Sequence, residues 1–114
     1  MKYVLLAYND AALLGSMAPG ELDALGAACL ANDEALRASG HLLAVAGLQN
    51  SDMATTVHVQ NGRLALADGP YVRTSEQLAG IFTIEARDLN EAIQVASRMP
   101  QARGGPIEVR PVAE

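Results

Sequence analysis

The apolar positions of this chain fall into short blocks whose period changes along its length. Residues Tyr3 to Tyr8 form a dense apolar run closed by the turn pair Asn9-Asp10, which predicts a buried strand. Ser16 and Pro19-Gly20 then open a segment from Glu21 to Ser39, where Leu22, Leu25, Cys29, Leu36 and several alanines recur at helical spacing. Gly40 stands where a helix C-cap would. Leu42 to Leu48 is apolar again, and Gln49-Asn50-Ser51-Asp52 supplies turn formers. Val57 and Val59 then alternate with Thr56, His58 and Gln60, and Asn61-Gly62 is a strong hairpin signal, so Arg63 to Ala67 should return antiparallel. After Asp68-Gly69-Pro70 the pattern predicts a strand near Gly80 to Ala86. A helix from Asp88 to Arg98 follows, with Leu89, Ala92, Ile93 and Ala96 inward. Pro100 stops it, and Ile107 to Val112 forms a last strand with Pro111 near its end.

That order predicts an α+β fold: a ferredoxin-like two-layer sandwich with an inserted β-hairpin, in one domain spanning residues 1–114. Two helices cover only one face of such a sheet. The other is expected to carry Thr56, His58, Glu108 and Arg110, with Phe82 or Ile84 among them. A mixed face of this kind either meets water or closes on a second copy, leaving a pocket between the sheets, so a homodimer is expected.

Composition narrows the function. The formal charge of −5, from 8 basic and 13 acidic residues, disfavours a phosphate backbone. Arg98, Arg103 and Arg110 are too dispersed to form a basic patch, so no nucleic-acid partner is expected. The single cysteine rules out an intrachain disulfide. The apolar start stops too early for a signal peptide, and no stretch approaches the ~20 residues that cross a bilayer. A cytoplasmic location without membrane contact is the expectation. No HExxH, CxxC or GxSxG arrangement occurs, and no metal or cofactor is expected.

Asp68 is the leading candidate for chemistry. A carboxylate beside a Gly-Pro turn can be held rigidly and aimed into a pocket as an acid/base, or can stabilise the turn by accepting backbone N–H bonds. His58 shares a strand face with Thr56 and Gln60 and can exchange a proton near neutral pH, or serve as a plain surface residue. Glu108 and Arg110 lie two apart on one strand, so Arg110 can grip a ligand carboxylate or pair with Glu108. Arg103 precedes Gly104-Gly105, glycines that let the backbone approach a ligand or simply join helix to strand. Tyr3 and Tyr8 point to opposite sheet faces, and Tyr8 is taken as the pocket residue. Cys29 reads as core, and His41 as a favourable charge at the helix C-terminus.

Several motifs in order carry a family resemblance: Lys2-Tyr3-Val4-Leu5-Leu6; Asp68-Gly69-Pro70-Tyr71 with Thr74, Glu76-Gln77-Leu78 and Gly80; Asp88-Leu89-Asn90-Glu91-Ala92; and Gly105-Pro106-Ile107-Glu108-Val109-Arg110-Pro111-Val112. From end to end the chain resembles the YCII-related, DGPF-domain family. The resemblance implies a dimeric α/β barrel whose protomers pack through their open sheet faces. Family members often look like companions of extracytoplasmic-function sigma factors in bacteria, and their biochemical activity is generally unassigned. Here Tyr71 replaces the usual phenylalanine, and Cys29 stands near the position of the helix histidine that the broader group pairs with an aspartate matching Asp68. The resulting expectation is a homodimeric accessory or ligand-binding protein. The alternative is a cofactor-independent lyase or oxygenase-like enzyme on a small organic substrate, with Asp68 as base and His58 or Arg110 assisting.

Overall fold

A computed structural model describes all residues from Met1 to Glu114. Strand β1 (Lys2–Asp10) leads through two helices, α1 (Ala11–Gly15) and α2 (Pro19–Ala38), to β2 (Leu42–Gly47). A 3-10 turn, Ser51–Met53, precedes the hairpin strands β3 (Thr55–Gln60) and β4 (Arg63–Asp68). Then come β5 (Glu76–Glu85), α3 (Leu89–Arg98), a second 3-10 turn, Pro100–Arg103, and β6 (Ile107–Pro111). The strands β2-β5-β1-β6 form one antiparallel sheet in the ferredoxin-like order, and β3-β4 is a separate two-stranded ribbon.

Period-two alternation decides which side chains meet the helices. Tyr3, Leu5 and Ala7 are opposite Ile84, Phe82 and Gly80, and all six are buried on one side. Val4, Leu6, Ile81 and Thr83 take the other face with Glu108 and Arg110. Phe82 and Ile84 therefore belong to the helix-side core and not to the open face. Thr56 and His58 are not on the sheet at all, because the hairpin leaves it instead of extending it. Between Ala7 and Tyr8 the β1–β5 register slips by one, with Ala79 as the bulged residue, so Tyr8 and Leu78 are paired.

Helix α3 buries Ala92, Val95 and Ala96, with Met99 just beyond, as an i, i+3, i+4, i+7 stripe against the sheet. Its Asp88 cap accepts a bond from the Glu91 amide at 2.9 Å. Leu89 and Ile93, expected inward, flank the stripe and stay 48% and 47% exposed. Helix α2 buries no residue. Leu25 and Cys29 are half-buried, and of this helix only Leu36 packs against the core. The short α1, absent from the sequence pattern, forms because the Asp10 carboxylate caps the amides of Ala12 and Leu13 at 3.0 and 3.3 Å.

The glycines after Arg103 serve the strands. Asp10 N donates to Gly104 O at 2.8 Å and Tyr8 N to Pro106 O at 3.0 Å, and a Cβ on Gly105 would lie 2.0 Å from Tyr8 O. The close approach expected toward a ligand is made to β1 itself. Asn61 and Gly62 have φ of 51° and 75°, the left-handed pair that a two-residue hairpin turn requires.

Candidate functional site

The Asp68-Gly69-Pro70-Tyr71 turn joins ribbon to sheet. Gly69 has φ 96°, its amide donates to Ala54 O at 2.7 Å, and its carbonyl accepts from Thr56 Oγ1 at 2.9 Å. Arg73 Nη2 donates to Asp68 O at 2.8 Å, with the guanidinium lying over Gly69. Backbone atoms and Arg73 hold the turn; the Asp68 carboxylate accepts no hydrogen bond and is exposed. Its proposed role in accepting turn amides is thus filled by other groups.

On the ribbon, Thr55 faces Asp68, Val57 faces Leu66 and Val59 faces Leu64, while Thr56, His58 and Gln60 face Ala67, Ala65 and Arg63. Opposed residues share a face, so Asp68 lies on the aliphatic side and His58 on the polar side. The Tyr71 ring folds over His58, with centroids 5.6 Å apart at 55°. Tyr71 is 74% exposed, so its hydroxyl meets water.

The other candidate residues are dispersed. Tyr8 and Arg110 share the open face, but Arg110 is opposite Val4, four residues from Tyr8 and hence about 13 Å along β1. Arg110 is paired with Glu108. Arg103 lies on the helix side, lining a hollow with Met17, Glu21 and Leu25. Within one chain, Asp68, His58 and Arg110 do not converge on one cavity.

A cleft lies where ribbon and sheet meet. It has a volume of ≈ 320 Å³, and its polar lining consists of Asn9, Gln49, Asn50, Ser51, Ser75 and Gln77, with Leu48, Leu78 and Ala79 as its apolar floor. An adjoining hollow of ≈ 350 Å³ shares Gln49 to Ser51 and adds Met53, Ala54 and Pro70, making the Gly-Pro turn a wall. Gln77 Nε2 donates to Val72 O and Thr74 O at 2.7 and 2.9 Å, tying down the loop that precedes β5. Asn50 Oδ1 accepts from Asp52 N at 3.4 Å. No charged side chain lines either space. The lining presents neutral hydrogen-bonding groups and no nucleophile paired with a base. In the sequence Asn9 and Gln49 to Ser51 read only as turn formers and Gln77 as one position of a family motif, and no spacing links them.

Two further polar clusters lie outside the candidate residues of the sequence. Between α2 and the second 3-10 turn, Gln101 Nε2 donates to Asp33 Oδ1 at 3.2 Å, while Asn32 Nδ2 and Gln101 Oε1 are enclosed without partners. Burial pushes the Asp33 carboxyl above its ordinary range against the Gln101 bond. Burial also raises the Cys29 thiol, helped by the Asp33 charge and opposed by Arg103. At the end of α2, Ser39 Oγ lies 3.0 Å from Leu36 O and 2.7 Å from His41 Nδ1. His41 Nε2 lies 3.5 Å from Glu91 Oε1. The Arg87 amide and guanidinium hold Glu91, and the amide bond chiefly lowers its carboxyl pKa. His41 therefore bridges α2 to α3 and does more than sit at a helix end.

The YCII-related domain family matches residues 1–114. An uncharacterised protein of Rhizobium meliloti (strain 1021) is 31% identical over 115 residues, covering 99% of this chain and 93% of the relative. The chain belongs to the YCII-related domain family.

Proposed function

We propose that this chain is a homodimeric small-molecule-binding protein whose ligand occupies the cleft at the base of the ribbon, beside the space between two facing sheets. One observation carries the reading: six neutral polar side chains gather around an apolar floor with no charged group among them. A neutral, polar organic ligand suits that lining. Dimerisation through the open sheet face is supported by Val4, Leu6 and Ile81, which the chain's own elements leave half-buried. We extend this reading to an accessory role beside a sigma factor in the cytoplasm, which the resemblance described above implies, acting without DNA contact as the net charge of −5 favours.

The second reading, a cofactor-independent enzyme, is favoured by the Asp68 carboxylate, which has no partner within its own chain. It requires the second copy to complete the acid/base set, with Arg110 or His58 assisting and Tyr8 contacting substrate, whereas Arg103 on the helix side takes no part.

A thermal-shift screen of neutral and charged metabolites on the parent, on Asn9→Ala/Gln49→Ala and on Asp68→Asn separates these. A ligand preferring the folded state raises its melting temperature. The binding reading expects a neutral hit that loses its effect in the cleft double variant and keeps it in Asp68→Asn. Loss in Asp68→Asn, together with turnover of the hit, favours the enzyme. A hit unaffected by the cleft variant removes the cleft from the account.

A further inference from the structure

The ribbon β3–β4 is the least covered part of the molecule. Every residue from Val57 to Asp68 is exposed, and its aliphatic face consists of two directly opposed pairs, Val57 with Leu66 and Val59 with Leu64. These side chains are 57%, 65%, 68% and 65% exposed in that order. An isolated two-stranded hairpin is at best marginally stable in water and needs a hydrophobic face packed on something. The chain provides nothing of its own to pack there.

The whole molecule shows the same deficit. A compact protein of 11.9 kDa exposes roughly 5,900 Å². This one exposes 7577 Å², about 1,600 Å² more. Its radius of gyration is 15.9 Å, where a compact chain of this length has about 13 Å. If each of two copies removed its excess, the interface would total about 3,200 Å², within the range of obligate homodimers. Charge agrees with a self-partner. The ribbon's aliphatic face carries no charge short of Asp68 at its base, and Glu108 and Arg110 neutralise one another on the open sheet face. Two copies bearing −5 each can therefore meet there without burying net charge.

We propose that the ribbon is an arm by which each protomer clasps the other: Val57, Val59, Leu64 and Leu66 lie against the second copy. The Asp68-Gly69-Pro70 turn at the arm's base then sits at the edge of the interface, so the neighbouring cleft is bordered by both chains. The inference rests on the dimer reading above and adds a specific contact to it.

The experiment compares the parent with Leu64→Arg/Leu66→Arg by analytical ultracentrifugation across a concentration series. The substituted positions are exposed, so the single chain should still fold, as checked by circular dichroism. The expected result is a dimeric parent and a dimerisation constant weakened at least about a hundredfold, the effect of losing two leucine burials. In a Cys29→Ser background, Val59→Cys should react with a maleimide slowly where the dimer prevails and faster on dilution. Gln60→Cys, on the opposite face, should react at one rate throughout. A dimeric parent whose variant dimerises equally well, with Val59→Cys labelled as fast as Gln60→Cys, overturns the clasp and leaves the dimer standing. A parent that stays monomeric at micromolar concentration overturns both.

Discussion

Replacing Gly105 with alanine isolates the contact that locks β6 and its loop onto β1. The added Cβ would sit 2.0 Å from Tyr8 O, 2.9 Å from Tyr8 C and 3.1 Å from Asp10 N, all backbone atoms. An ordinary contact with oxygen needs more than 1 Å of additional separation. The strands can supply it only by lengthening the flanking bonds, Tyr8 N to Pro106 O and Asp10 N to Gly104 O. Two such bonds contribute about 1 kcal/mol each, and forced overpacking costs about 1–3 kcal/mol, giving about 3–5 kcal/mol. For a chain of this size that lowers the melting temperature by about 12–20 °C. Gly104→Ala is the internal control. Its Cβ would meet Leu14 Cδ2 at 3.1 Å, the end of a flexible side chain that can turn aside, so about 1 kcal/mol or less is expected. Thermal melts and urea titrations followed by far-UV circular dichroism measure both. A Gly105→Ala protein melting within about 3 °C of Gly104→Ala would refute the reasoning, because the loop would then yield without disturbing β1.

Other outcomes follow from the polar clusters and the turn. Burial makes folded Asp33 hold its proton above the ordinary 3.8, so its ionisation weakens the fold as pH rises from that range. Asp33→Asn keeps an acceptor for Gln101 and should melt higher than the parent at pH 7, the gap closing below about pH 4; a gap independent of pH contradicts the assignment. Glu91 has the opposite sign, since its lowered pKa contributes stability that is present at neutral pH and lost as acid protonates it. Glu91→Gln should therefore melt lower at pH 7, with a deficit that shrinks in acid; melts across a pH series test both residues together. The raised Cys29 thiol should react more slowly with a disulfide reagent at pH 8 than a small free thiol, and faster in Asp33→Asn; equal rates in parent and variant remove the Asp33 contribution. Because the Asp68 carboxylate is exposed and accepts no bond, Asp68→Asn should leave stability within about 0.5 kcal/mol, and a larger loss in urea titration would assign it a structural role.

The elements with strong local signals were legible. Val57 and Val59 alternating before Asn61-Gly62 sufficed for the ribbon, and the apolar run from Tyr3 to Tyr8 for β1. Helix α3 was recognised while two of its inward residues were misplaced, because periodicity defines a stripe only to within a flank: Leu89 and Ile93 lie beside Ala92, Val95 and Ala96. Helix α1 was missed because five residues with a single capping aspartate leave too short a pattern to read. Asp68 was readable as a special residue beside a turn, but not which face of the ribbon it would occupy. The cleft was not readable, since Asn9 and Asn50 look like ordinary turn formers in their own neighbourhoods and Gln77 like one position of a family motif.

What the sequence by itself determined is what neighbours along the chain can enforce: alternation in the strands, the left-handed turn at Asn61-Gly62, the stop at Pro100, and motifs specific enough to place the family. Tertiary structure alone decided which face each alternation turned toward the helices, that the hairpin left the sheet, and that three distant segments met around one cleft. Those outcomes depend on register between strands far apart in sequence, where a slip of one residue, as at Ala79, reverses every side chain beyond it. A local pattern carries the period of a strand; only the paired sheet carries its phase.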